Sequence, residues 1–238
     1  MSTFPGGTSV TFLDVYDDEA PDGVCGGSPH VHLVSTEAYI VTAGRGELHT
    51  LDASGFRVTP LEAGSVVWFT PGTIHRAVNL GDLRVVVLMG NAGLPEAGDA
   101  VLTFPSDVVT DAAAYRAAST LAPLDETSAR ADSARRRRDL AVKGFNALRD
   151  AVDRGDASAL EEFYAAAGGL VRERAAAWPG LVREGPLREA EASLARAEAV
   201  AGGSAAHLRE GRVRVASSPA GERGFGMCGR LSVYDVQS

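Results

Sequence analysis

Six short runs of β-branched and apolar residues occupy the first ninety positions of this 238-residue chain. They cover residues 11–16, 30–34, 37–42, 47–51, 65–69 and 83–89. Gly, Pro, Asp or Ser bounds each run, and these residues punctuate turns by permitting positive φ or by capping the backbone. Runs this short and this evenly spaced predict an antiparallel sandwich or barrel. Asp52-Ala53-Ser54-Gly55 reads as a hairpin loop ending on a glycine.

The composition changes sharply after Pro105. Residues 106–203 are rich in Ala, Arg and Glu, which are good helix formers. Leu160, Phe163, Tyr164, Ala167, Leu170 and Val171 recur at intervals of three and four, one stripe of an amphipathic helix. Leu140, Phe145, Leu148 and Val152 give a weaker stripe before it. Leu187, Ala190, Leu194 and Ala197 give another after an expected break at Pro179-Gly180. Gly155-Asp156 supplies a stop and then an N-cap, and Gly202-Gly203 ends the last helix. Three or more helices are expected. Strand character returns at 212–216 and 231–236, and two strands cannot form a stable sheet alone. They must rejoin the first sheet or cross to a partner. The expected division is therefore a β-domain over 1–105, a helical segment over 106–203 and C-terminal strands within 204–238.

Composition narrows the classes of function. Hydrophobic residues make up 45% and charged residues 23%, ordinary for a globular protein. No apolar run reaches the 18 or so residues needed to span a bilayer. The first residues lack a basic region followed by an apolar stretch, so a cytoplasmic location without membrane contact is expected. Two cysteines, Cys25 and Cys228, are too few for a disulfide scaffold and read as reduced, partly buried thiols. The net charge of −8 argues against nucleic acid as a partner. The one basic run, Arg135 to Arg138, reads as a solvated helix face.

His30-Val31-His32 places two imidazoles at i and i+2 on a predicted strand, where alternate side chains share a face. Glu37 opens the next strand after a short connection. His75 follows the turn Thr70-Pro71-Gly72 much later in the sequence. Inside a barrel these four side chains can converge on one divalent metal ion.

At these positions the sequence resembles the cupin superfamily. His30, His32, Glu37 and Gly44 fit the spacing of the first cupin motif, and Gly64, Gly72, His75 and Asn79 fit the second. Thr70 stands where the second motif has proline, and the glycine expected before His30 is displaced to Gly23 or Gly26. Neither departure touches a ligand. The resemblance implies a mainly β fold, a cupin-type antiparallel β-barrel (jelly roll or double-stranded β-helix) with the helical segment inserted before the last strands. It implies His30, His32, Glu37 and His75 as ligands of one transition metal, with Fe, Mn, Zn, Ni, Co and Cu all compatible. Two adjacent positions would stay open on an octahedral ion. A small-molecule ligand is expected, and exposed sheet edges make a homodimer the expected assembly.

Other candidates are weaker. Tyr39 shares parity with Glu37 and either faces the cavity, as a catalytic candidate, or fills the core. Asn79 is expected to stabilise its turn. His49 reads as a satisfied or exposed histidine and His207 as an exposed one. Thr73 and Arg76 flank His75, either lining the barrel mouth or lying on the surface. Three classes of function compete. One is a metal-dependent oxygenase, or an isomerase or epimerase, acting on a small polar metabolite. The second is a non-catalytic sensor in which the metal anchors a ligand. The third is a storage protein.

Overall fold

The computed structural model describes residues 4–156, 158–217, 219 and 221–236. Its strands are β1 (Ser9–Val15), β2 (His30–His32), β3 (Glu37–Asp52), β4 (Gly55–Glu62), β5 (Val66–Phe69), β6 (Ile74–Met89), β7 (Ala100–Leu102), β8 (Gly224–Phe225) and β9 (Gly229–Val233). The backbone of the barrel is one long antiparallel ribbon. β3 and β6 pair from Glu37↔Met89 to Leu51↔Ile74, with register slips between Val41 and Gly46. Such bulges bend a strand without ending its pairing. Residues 37–42 and 47–51, expected as two strands, are therefore one. Gly44 sits in the bend at φ 71°, and a Cβ there would run into the Asp82 carbonyl.

The bend gives the ribbon a share in two sheets. One half is flanked by β5 and by β1, and the other by β4 and by β2, which itself pairs with β7. Sequence reading missed β4, β7, the two-residue β8 and the first half of β6. Pro60 disguised β4, which tolerates proline because it is an edge strand, and β7 is only three residues long. Leu13, Val15, Tyr39, Val41, Leu48, Val85 and Val87 point inward and form the barrel core. The hairpin at Ala53-Ser54 is as expected, with Asp52 opposite Gly55.

The helices are α1 (Ser106–Val109), α2 (Ala112–Ser119), α3 (Thr127–Asp153), α4 (Ser158–Ala175), α5 (Trp178–Val182) and α6 (Arg188–Ala201). α1 to α5 cover the outer face of the second sheet. Val31, Leu51, Ile74 and Val101 from the strands pack with Phe145, Leu160, Phe163 and Trp178 from the helices in one cluster. The stripe on α4 is buried as expected, with Leu160, Phe163, Ala167 and Val171 all inside. Phe163, Tyr164, Leu170 and Trp178 thus find their partner surface on the barrel. Gly155, at φ 84°, ends α3, and the Asp156 carboxylate accepts the Ser158 N–H at 3.1 Å to start α4.

Several expectations for this region are corrected. Pro179-Gly180 does not break a helix; Pro179 stands in the first turn of α5, where its missing N–H costs nothing. A π-helical turn over Arg183–Leu187 then carries the chain into α6. The stripe Leu187, Ala190, Leu194 and Ala197 is not a buried face, since no residue of α6 is buried. The basic run is only half solvated. Arg137 and Arg138 turn toward the barrel, where Arg138 donates to the carbonyls of Asp18 and Glu19 at 3.0 and 2.9 Å, and Arg137 to that of Gly226 at 2.6 Å. Residues 212–216 form no strand, and Val213 and Val215 lie exposed. The later segment pairs as β9 with β1 of the same chain, Leu231 opposite Leu13.

The outer face of the first sheet is apolar across four strands. Trp68, Ala38, Leu88 and Val10 are in register in one row, and Val66, Ile40, Val86 and Phe12 in the next. Trp68 is 71% and Val66 57% exposed. No helix among the described residues is long and apolar enough to cross a membrane.

Candidate metal centre

The barrel brings His75 to three side chains that lie close together in sequence, His30, His32 and Glu37. His30 sits opposite His75 where β2 pairs with β6, and His32 shares the inward face of β2. Glu37 enters from the first residue of β3. The four can contribute one ligand atom each within 4.8 Å of one another, and all four are buried. Glu37 Oε2 lies 3.2 Å from both His32 Nε2 and His75 Nε2.

Each imidazole is oriented through its other nitrogen. His30 Nδ1 donates to the Ser28 carbonyl at 2.9 Å, and His75 Nδ1 to the Thr73 carbonyl at 3.2 Å. His32 Nδ1 lies 2.8 Å from Asp99 Oδ1. With every Nδ1 engaged, every Nε2 is turned to the common point. Carbonyl or carboxylate support of this kind fixes the tautomer that a metal-binding histidine needs. Glu37 Oε2 and His75 Nε2 have no hydrogen-bond partner although both atoms are buried. Buried polar atoms are rarely left so. Three imidazoles and a carboxylate converging with unsatisfied lone pairs fit a divalent transition metal.

The electrostatics without an ion follow from this crowding. Burial and then the neighbouring His75 and His32 hold His30 well below the ordinary histidine value. Burial also opposes charge on His32, but the hydrogen bond to Asp99 and the nearby Glu37 carboxylate outweigh it and push the value up to about 9. Burial would raise Glu37, yet the positive field of His75 and His32 holds it well below the usual carboxylate range. Asp99 is lowered against its own burial by the His32 bond.

Tyr39 faces the interior, fully buried, with its hydroxyl 3.9 Å from Cys228 Sγ. Burial, then Cys228 and Glu37, push the phenol well above its ordinary value. Burial and Glu37 likewise push the Cys228 thiol up to about 12. The Phe69 ring lies 4.2 Å from that of His75. The thiol beside the cluster is thus Cys228; half-buried Cys25 is tied to β6 through its carbonyl, which accepts the Asn79 N–H.

The remaining candidates fall outside the cluster. Asn79 holds its turn as expected, its amide donating to Val15 O while its oxygen accepts from the N–H groups of Gly81 and Leu83. Gly64 and Gly72 occupy turns at positive φ, 94° and 87°. His49 points outward to Phe56 and bonds Glu47 Oε2 at 2.7 Å. His207 is half-buried in a 3-10 turn, not exposed. Arg76 lines no mouth and is not on the surface. It is 1% exposed and bound to Asp22 Oδ2 at 2.5 Å and to the carbonyls of Gly27 and Val24. Sequence reading missed Asp99, which lies 67 residues from its histidine with no motif to mark it.

A bent antiparallel barrel around a three-histidine, one-carboxylate cluster defines a class of β-barrel proteins that could hold a metal ion. Residues 19–90 match the model of the Cupin domain family, and this region is a cupin domain. No curated protein matches the sequence. Among solved structures, it is similar to an uncharacterized conserved protein with a double-stranded beta-helix domain from Klebsiella pneumoniae. That likeness is 27% identical, covers 36% of this chain and 70% of the other, and has a TM-score of 0.29. A TDP-fucose-3,4-ketoisomerase from Campylobacter jejuni is 14% identical, over 34% of this chain and 58% of that one, at a TM-score of 0.30. A predicted oxalate decarboxylase from Thermotoga maritima is 20% identical, over 34% and 63%, at 0.26. The helical segment lies beyond the family match.

Proposed function

We propose that His30, His32, Glu37 and His75 hold one divalent transition metal, and that the protein acts on a small polar metabolite as an oxygenase or an isomerase or epimerase. One observation carries the reading. Every Nδ1 in the cluster is engaged, while Glu37 Oε2 and His75 Nε2 are buried with only each other and the cluster's imidazoles nearby and with no hydrogen bond. A metal of this kind, when bound, polarises a coordinated oxygen or brings dioxygen beside a chelating substrate.

The chain's own residues supply the rest. Tyr39 stays protonated across the physiological range and is a candidate donor on the cluster's interior side, next to Cys228. Phe69 and Cys228 give the site an apolar wall that excludes water. The four ligands are at most 6% exposed, which favours a ligand small enough to enter a nearly closed barrel. That same closure supports a second reading, a sensor in which the metal anchors a metabolite without turnover. We further propose a homodimer through the apolar outer face of the first sheet. Its two central rows carry no charge, and Asp14 at its border is paired with Arg223 at 2.8 Å, so a second copy of a −8 chain meets no like charge there.

Elemental analysis of protein purified without chelator or nickel resin tests the metal. About one equivalent of one transition metal is expected, and its absence at good yield sinks the proposal. Oxygen uptake with a substrate marks an oxygenase, and undiminished anaerobic turnover an isomerase. Calorimetric binding of a metabolite that is recovered unchanged marks the sensor.

A further inference from the structure

We propose that the helical segment positions the metal centre, acting through Asp99 on His32. The inference rests on the metal reading above and assigns the segment a role in it. Asp99 is fully buried, and both its oxygens are used. Oδ1 holds His32 Nδ1 at 2.8 Å, and Oδ2 accepts the Ser35 N–H at 2.9 Å. Its placement is not secured by the barrel alone. The two residues before it are gripped from the helices: the Trp178 indole donates to the Ala97 carbonyl at 3.3 Å, and Arg174 Nε to the Gly98 carbonyl at 3.0 Å. Gly98 sits at φ 80°, and the Arg174 side chain lies 3.1 Å from where its Cβ would be, so the loop and α4 meet closely.

The other two imidazoles are braced from the same side. The Tyr164 hydroxyl of α4 donates to the Gly72 carbonyl at 2.6 Å, one residue before the Thr73 carbonyl that holds His75. Thr103 Oγ1 lies 2.9 Å from the Ala141 carbonyl of α3 and 3.1 Å from that of Pro29, the neighbour of His30. Gly144 lets α3 come this near, since a Cβ there would strike the Thr103 carbonyl. Four contacts from α3, α4 and α5 therefore end within one or two residues of a ligand or of the group that orients it, the one from α3 by way of Thr103. A helical layer serving only to cover an apolar face would need none of these polar contacts to converge on one end of the barrel.

The test uses Co(II) as the probe with the full-length protein, reading its dissociation constant and its visible absorption spectrum. Outer-shell partners of metal-bound histidines are typically worth ~10–100-fold in affinity. Asp99→Asn is expected to weaken Co(II) binding by that order. Trp178→Phe keeps the buried ring and removes the N–H; Arg174→Met removes the other grip at an exposed position. Each is expected to weaken binding several-fold and to shift the Co(II) spectrum, which a change in folding stability alone would not do. If the wild type binds Co(II) and all three variants match it in affinity and spectrum, this inference falls while the metal reading stands. A wild type that takes up no Co(II) overturns both.

Discussion

Metal binding should be visible as stability, because the metal-free centre is strained by its own unsatisfied atoms. Glu37 Oε2 and His75 Nε2 are buried without hydrogen bonds, and an unmet buried polar group costs about 1–3 kcal/mol. An ion that meets both removes that penalty only in the folded state. Linkage sets the observable size: at a hundred times the dissociation constant, binding adds about 2.7 kcal/mol. For a chain of this length each kcal/mol moves the melting temperature by about 2–4 °C. A rise of about 5–11 °C is therefore expected on saturating metal-free protein with Co(II) or Zn(II), growing by about 3–5 °C per further decade of metal. His75→Gln, close in volume but lacking the imidazole lone pair, should abolish this response in the same concentration range. His49→Ala is the control, since His49 points away from the cluster toward Phe56. Differential scanning calorimetry reads all three. An equal rise in His75→Gln and wild type, or its loss in His49→Ala, would refute the assignment of the site.

Asp22→Asn removes the counter-charge of Arg76, which is 1% exposed and keeps only two carbonyl acceptors. About 3 kcal/mol of stability should be lost at pH 7, a fall of about 6–12 °C in melting temperature. The Asp22 carboxyl is lowered against its own partial burial by Arg76. Its contribution is thus fully present above the unfolded value near ~3.9 and fades as pH falls through the folded one; the variant's stability curve should be flatter below about pH 4, and parallel acid limbs would contradict the pairing. For the thiols, a Cys228 value of about 12 leaves about one part in 10⁴ as thiolate at pH 8. Cys25 should react with a disulfide reagent in the native protein and Cys228 only after unfolding; equal rates would show that the interior is open. Trp68→Asp, on the apolar sheet face, should convert a dimer to monomers in light scattering, and a wild type already monomeric at micromolar concentration would end the dimer proposal.

The fold was legible where local chemistry dictates it. Turn residues marked six strand segments correctly, and the three-and-four spacing of Leu160, Phe163, Ala167 and Val171 found the buried side of α4. What failed depended on partners distant in sequence. Residues 37–42 and 47–51 look separate because Ala43-Gly44-Arg45 interrupts the apolar pattern, yet β6 pairs across the interruption. Val213 and Val215 have strand propensity, but no described strand pairs with them. Arg137 and Arg138 read as solvated because composition does not reveal the carbonyls of Asp18, Glu19 and Gly226 that draw them inward. α6 has an apolar stripe with nothing buried against it, so periodicity announced a face and not its partner.

The ligand set shows where the boundary lies. His30 and His75 each find an Nδ1 acceptor two residues back, at the Ser28 and Thr73 carbonyls just outside their strands. Local sequence suffices to build those two. His32 has no such choice, because the residue two back is His30, whose backbone is already paired with Leu102 and His75 on either side. A second histidine in a His-x-His strand therefore needs a support from elsewhere in the fold, and the sequence implies the need without naming the residue. Asp99 fills it, on a loop that α4 and α5 hold in place. The four-residue cluster could thus be read from spacing alone, whereas the helices' bearing on it could not. Their contribution enters at the one ligand that strand geometry leaves unsupported.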